Sequence, residues 1–213
     1  IRMIRIQERS RFDMTLKFLS ALSVLFFMFY TFWGLNYSRS PMSKTLSLEK
    51  EDYHIETLEK VTQKILYRSQ TLQKQLAAHD SLPVIVPYSK KQILEMSPEG
   101  YVNLAKNHPE FNYQTKSLKT SLLSTPLTYM GFSGYLNPFT GEAQVDHLIP
   151  KINLLFTASH EIAHQVGIAS ENEANFLGFL AASNHSDLYF QYAAHLMVLR
   201  YALFDIYRFD KEK

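Results

Sequence analysis

Residues 154–181 read LLFTASHEIAHQVGIASENEANFLGFLA, and the rest of the fold follows from how this stretch is read. Small and apolar residues recur at three- and four-residue spacing as far as Val166, Gly167 interrupts them, and the pattern resumes at Glu171. That is a helix, a glycine exit and a second helix. Inside the first helix lies His160-Glu161-Ile162-Ala163-His164. Histidines four apart sit one turn above each other on the same face, close enough for two imidazoles to share one tetrahedral metal ion. Glu161 is beside them, within reach of a water on that ion. In an HExxH helix, zinc acidifies the water and polarises a scissile carbonyl, while the glutamate carries the proton to the leaving amine. The expected roles are zinc ligation by His160 and His164 and general-base catalysis by Glu161.

A catalytic zinc site takes a third protein ligand and leaves a fourth position open to water. Gly167 permits a sharp exit, so either acid of Ser170-Glu171-Asn172-Glu173 could return to the metal. Ser170 and Glu173 have the spacing of a capping box, which would occupy the Glu173 carboxylate at the helix N-terminus. Glu171 has no such duty and is the preferred ligand, with Glu173 as the alternative. The neighbouring residues are small and apolar, so the three polar groups lie on an otherwise buried helix. Each costs about 1–3 kcal/mol if left unpaired, and a metal or a hydrogen-bond network is the expected partner.

Working outward, residues 127–147 read as two short strands joined by a turn rich in Asn, Pro and Gly, a β-hairpin. Three helices are expected downstream of it: 152 to about 166, 171 to about 183, and 187 to about 208 with Ser186 as its cap. Upstream, residues 47–79 carry Leu58, Val61, Ile65, Leu72 and Leu76 at helical spacing between charges, an amphipathic packing helix. Residues 82–88, with Pro83 and Pro87, read as a connector or edge strand. Ser97-Pro98-Glu99 resembles a cap and first turn, opening a short helix that ends near Asn107. The fold class is α+β, helix-dominated with a minimal sheet, and the active-site core spans 127–208.

The N-terminal region is of another kind. From Phe18 to Tyr37 there are twenty residues without a charge, FLSALSVLFFMFYTFWGLNY, about 30 Å of helix and so the thickness of a hydrocarbon core. Residues 18–37 therefore read as a transmembrane helix with an aromatic interfacial end. Residues 1–17 carry a net charge of +3, against −1 for residues 38–213. The basic segment is expected on the cytoplasmic side and residues 38–213 on the other. A chain opening on Ile1 rather than Met is expected to continue upstream, with room for further spans.

Composition narrows the chemistry. The 213 residues are 46% hydrophobic and include no cysteine, which excludes thiol nucleophiles, disulfides and Cys-type metal sites. A net charge of +2, without basic clusters, argues against nucleic acid as a partner.

HEIAH followed by EnEAN is similar to the gluzincin branch of zinc metallopeptidases. That resemblance implies Glu171 as the third ligand and Asn175 in the place of an aspartate that hydrogen-bonds a ligand imidazole. The interval from His164 to Glu171 is shorter than is usual in gluzincins. HExxHxxG followed closely by a ligand resembles metzincins, with Ser170 where their third His stands. WGLNYSR, GYLNPFTGEAQV and HEIAHQVGIASENEANFLGFLA, in this order, resemble an uncharacterised family of bacterial membrane proteins with a zincin-like domain, over most of residues 30–210. The resemblance implies a zinc peptidase in the inner membrane, its C-terminal domain periplasmic, acting on a peptide or protein substrate. Zincins bind an extended peptide along a strand edge, which here implicates Gly134 and Tyr135 of the hairpin. Tyr192 or His195 would stabilise the oxyanion. Asp146, His147 and His185 are weaker accessory candidates, and Glu142 lies by the hairpin turn. The competing expectation is a non-catalytic zincin-derived domain that binds a partner with a structural metal. Nothing in the sequence fixes the oligomeric state.

Overall fold

The computed structural model describes residues 2–49, 54–79, 81–114 and 116–211. It separates into two compact units, residues 1–39 with 138–140, and residues 40–137 with 141–213. The first unit is built on α1 (Arg2–Phe32). Its segment Arg11–Phe32 has a mean hydropathy of 1.6 and is, among the described residues, the one helix long and apolar enough to cross a membrane. The basic stretch expected over 1–17 is helical from Arg2 onward rather than a separate element, and the side chains of residues 1–10 lie outside the described residues. The helix also stops five residues before the expected Tyr37, because Gly34–Ser38 forms a 3-10 turn. Glycine weakens a helix interior, and Gly34 lies against the ring of Tyr30, where a Cβ would come within 2.7 Å of Cδ2.

In the second unit the order is α2 (Met42–Thr45), α3 (Ile55–Leu76), α4 (Lys90–Met96), α5 (Pro98–Leu104), β1 (Leu118–Thr120), α6 (Ser124–Met130), β2 (Gly134–Leu136), β3 (Ala143–Val145), α7 (Lys151–Val166), α8 (Glu171–Ser183) and α9 (Leu188–Lys211). The helix expected over 47–79 is α3, and residues 50–53 of that expectation lie outside the described residues. Its buried face is Thr62, Ser69 and Leu72, while Val61 is exposed. The two hydroxyls can go inward because each returns to the carbonyl one turn back, Thr62 to Leu58 at 2.7 Å and Ser69 to Ile65 at 2.9 Å. Residues 82–88 form a connector without a strand. Then comes α4, set by a capping box between Ser89 and Gln92. Ser97 does not cap α5: it is itself helical and sends its hydroxyl to the Ile93 carbonyl, 2.7 Å away. Glycine at 100 brings α5 onto α8, since a Cβ there would lie 2.4 Å from the Ala181 carbonyl oxygen.

The hairpin exists but is shorter than read. Residues 124–130 are helix α6, ended by Gly131 in a left-handed conformation, and only Gly134–Leu136 and Ala143–Val145 pair antiparallel. A third strand, β1, joins β3 in parallel, giving the order β1-β3-β2. β2 is therefore a sheet edge. The buried face of β3, Ala143 and Val145, packs on α7. α7 runs through the centre of the unit between two apolar clusters. Leu154, Leu155 and Phe156 join Val145, Ile93 and Phe190 in one, and Ile162 and Ala163 join Tyr101, Leu177 and Ala181 in the other. The α+β class holds, with helix predominating.

Gly100→Ala should destabilise the protein by about 1–3 kcal/mol, as overpacking against a backbone carbonyl does. Thermal unfolding of the full chain in detergent measures this, with the half-exposed Val102→Ala as a near-neutral reference.

Candidate functional site

The site is made where α8 is folded back onto α7. Gly167 takes φ +102° and ends α7, with its N–H bonded to the His164 carbonyl at 2.9 Å and that of Ile168 to the Ala163 carbonyl at 3.1 Å. Four residues later α8 begins at Glu171. Gly178 lets the two helices touch: a Cβ there would stand 3.1 Å from the backbone N and Cα of His160.

This arrangement brings together His160, His164 and Glu171, whose donor atoms all lie within 4.8 Å of one another. The two Nε2 atoms are 3.2 Å apart, Glu171 Oε2 is 3.3 Å from His160 Nε2, and Glu171 Oε1 is 3.5 Å from His164 Nε2. His164 is buried, and its Nδ1 is 2.7 Å from the Ile168 carbonyl oxygen, so Nδ1 carries the proton and Nε2 offers its lone pair to the cluster. His160 Nδ1 is buried without a hydrogen bond of normal geometry. Burial pulls the His160 imidazole down, but Glu171, Glu161 and Asn175 together hold its pKa above the ordinary value. Burial and the neighbouring His160 charge hold His164 below it. Glu171, hydrogen-bonded to His160, is shifted below the usual carboxylate range. Its side chain is 77% exposed, which leaves the cluster open to solvent on that side.

Glu161 lies on the buried side, 3% exposed, with Oε2 unpaired. Burial pushes its carboxyl up to about 8, with His160 opposing and Glu171 reinforcing. Edge strand β2 passes directly over it. A Cβ on Gly134 would lie 2.4 Å from Glu161 Oε1 and 2.8 Å from the Gln144 carbonyl, so only glycine lets the strand come this close. Tyr135 alternates to the other face, where its hydroxyl donates to Gln144 at 2.7 Å.

The remaining candidates are employed elsewhere. Glu173 is not half of a capping box: its Oε1 accepts the Met42 N–H at 2.7 Å, and Ser170 donates to Asn172 instead, at 2.8 Å. Asn175 acts on His160 as above and is 3.5 Å from the Tyr201 hydroxyl. Tyr192 is half-buried on α9, which raises its pKa. His195 bonds the Gln191 carbonyl at 2.8 Å and packs edge-on to Phe179. Asp146 is fully buried and accepts from Leu148 N–H at 2.7 Å and from the Thr128 hydroxyl. The exposed His147 accepts from Lys90 through its carbonyl. His185 is buried with both ring nitrogens used, one to the Met96 carbonyl and one to the Asp187 N–H. Asp187, not Ser186, caps α9, by accepting the Tyr189 N–H at 2.8 Å; Ser186 donates to Glu99. Glu142 pairs with Lys119.

Two residues that the sequence did not single out hold α7 in place. Gln165 donates to the Ser117 carbonyl at 3.1 Å and the Gly141 carbonyl at 2.7 Å while accepting from the Tyr113 hydroxyl at 2.6 Å. The fully buried Tyr101 donates to the Ser159 carbonyl at 2.6 Å, next to the first histidine.

The sequence as a whole, residues 1–213, matches a family described as proteins of unknown function (DUF3810), and the chain belongs to that family. No curated protein and no solved structure matches it.

The Glu161 carboxyl gives a pH dependence with a definite sign. Its pKa rises from 4.5 unfolded to about 8 folded, so between those values the native state binds more protons and stability falls as pH rises. In metal-free protein, Glu161→Gln should flatten the loss of Tm between about pH 5 and about pH 8, by several degrees at the alkaline end. Parallel Tm profiles for the two proteins would contradict this assignment.

Proposed function

We propose that this protein is a membrane-anchored zinc-dependent peptidase, with α1 as the anchor and the α7–α8 cluster as the metal site. The observation that carries the reading is the donor spacing. Ligand atoms bound to one zinc at about 2.05 Å in tetrahedral geometry are separated by about 3.3 Å; here the two imidazole Nε2 atoms are 3.2 Å apart, one Glu171 carboxylate oxygen is 3.3 Å from His160 Nε2 and the other is 3.5 Å from His164 Nε2, and one donor atom from each residue lies within 4.8 Å of the others. Two imidazoles and a carboxylate are the donor set that a catalytic zinc takes when one position is left for water. Zinc bound there supplies Lewis acidity and lowers the pKa of water.

The chain's own residues support the rest of the reading. Glu161, buried with its Oε2 unpaired and its proton affinity high, is the base that takes the proton from water and delivers it to the leaving amine. Edge strand β2 offers its free backbone to an extended peptide, pairing as an added strand beside Glu161. Gly134 permits that approach, and the role of Tyr135 in it would be through its backbone. Asn175 steadies His160 without adding charge. The net basic residues before the span favour a cytoplasmic N-terminus and a periplasmic catalytic unit.

Mass spectrometry of purified protein should find about one zinc per chain, lost in a His160→Ala/His164→Ala variant and retained in Glu173→Gln. Glu161→Gln should keep the metal while hydrolysis of a peptide library drops by about 10²–10⁴-fold. Retained metal with unchanged hydrolysis would remove Glu161 from its role. Metal without turnover in the wild type would favour a structural ion in a partner-binding domain.

A further inference from the structure

Residues 120–141 contain no charged side chain, and Lys119 and Glu142 bound the stretch on either side. It is not a second span: α6 has seven residues, Pro126 lies inside it and Gly131 ends it. What distinguishes the segment is that it is built inside out. Its polar atoms face inward and fasten it. Ser124 donates to the Ser121 carbonyl at 2.7 Å and accepts the His147 N–H at 3.0 Å, the Ser121 hydroxyl accepts the Leu123 N–H at 3.0 Å, and Thr128 donates to buried Asp146. Leu127 packs inward at 6% exposure, but the other large apolar side chains of residues 121–133 stand outward. Leu122 is 100% exposed, Tyr129 89%, Met130 61%, Phe132 58% and Leu123 55%. An apolar cluster of this kind on a surface marks an interaction site.

We propose that this segment, residues 121–133, is a bilayer-docking element that inserts Leu122, Leu123, Tyr129, Met130 and Phe132 into the headgroup region. The inference rests on the reading of α1 as a membrane anchor. Three observations select lipid over a protein partner. The same chain carries the apolar span, and only nine residues separate Phe32, its last helical residue, from Met42, which is buried in the second unit. Nine residues reach at most about 30 Å, so the second unit is tethered to the bilayer and meets it at a high effective concentration. The patch mixes aliphatic and aromatic side chains, as interfacial segments do. It also lacks the charged groups that a specific protein interface uses to set register.

A chain without cysteine allows single nitroxide labels with no background. The 213-residue chain would be reconstituted in phosphatidylcholine–phosphatidylglycerol vesicles and labelled at Leu122→Cys or Tyr129→Cys. Tyr67→Cys and Ile85→Cys provide references, at 74% and 78% exposure. Labels at 122 and 129 should collide with apolar oxygen several-fold more, relative to a polar nickel chelate, than labels at 67 and 85 do. Equal chelate access at all four sites would overturn the proposal. So would shielding of 122 and 129 from both reagents, which would mean protein cover. A label at Leu22→Cys reports the anchor separately: chelate access there would remove the span, whereas a lipid-exposed Leu22 with water-exposed 122 and 129 would remove the docking element alone.

Discussion

The arrangement depends on how closely α8 can return to α7. A carboxylate in the first turn of α8 can meet imidazoles on α7 only if the connection is short and the helices nearly touch. Gly167 provides the first condition by adopting φ +102°, which a side chain would resist. Gly178 provides the second, with no Cβ to hold the helices apart at His160. Ala163, Ala174 and Ala181 continue the narrow seam in the apolar cluster behind it. Close packing excludes water from the inner face of the histidines and leaves the Glu171 side open. The cluster is thus asymmetric, with a buried acid on one side and an exposed one on the other.

That asymmetry sets the electrostatics. Between the two imidazoles only His160 gains proton affinity, because Glu171, Glu161 and Asn175 together outweigh its burial. Its charge in turn disfavours protonation of His164. Glu161 is desolvated more strongly than His160 can compensate, and keeps its proton well above the ordinary carboxyl range. In the metal-free protein the raised proton affinity of His160 and the lowered one of Glu171 both favour the pairing of these two side chains. The proposed divalent ion would add positive charge at the same point and favour ionised Glu161.

Much of this was legible in the sequence, because helices α7, α8 and α9 are long, periodic and bounded by glycine or capping residues. His160 and His164 could be grouped from helix spacing, whereas spacing left Glu171 and Glu173 both open as the third member and the preference for Glu171 leaned on a capping box that does not form. Where pairing is non-local the sequence misleads. The three residues of β1 have no local signal, since their pairing with β3 is a contact across more than twenty residues. The segment around α6 reads as strand because it is uncharged and contains Leu, Tyr and Thr; the Ser and Thr bonds that curl it depend on partners such as Asp146. Glu173 had the spacing of a capping box, and was recruited by the backbone of Met42, far away in the chain. By contrast α4 was detectable, since Ser89 and Gln92 have the spacing of a capping box.

Two departures from the usual sorting of polar and apolar groups lie side by side in this unit. On α7, polar side chains are turned into the core, where His160 and His164 meet each other and Glu171 while His160 Nδ1 and Glu161 Oε2 stay unpaired. Around α6, apolar side chains are turned out, and the polar atoms beneath them are satisfied. Neither arrangement follows from burying the most apolar area, which is why the proposals of a metal at the first and of a membrane at the second start from them. Gly134 joins the two. It comes two residues after exposed Phe132, and it is the point where the sheet edge rests on Glu161. Because Asp146 N–H is bonded to the Ser133 carbonyl at 2.8 Å and Gly134 pairs with Val145, the intervening chain is held to the sheet rather than free to flex. A force applied to the exposed segment would therefore reach the edge strand over Glu161 through fixed backbone contacts.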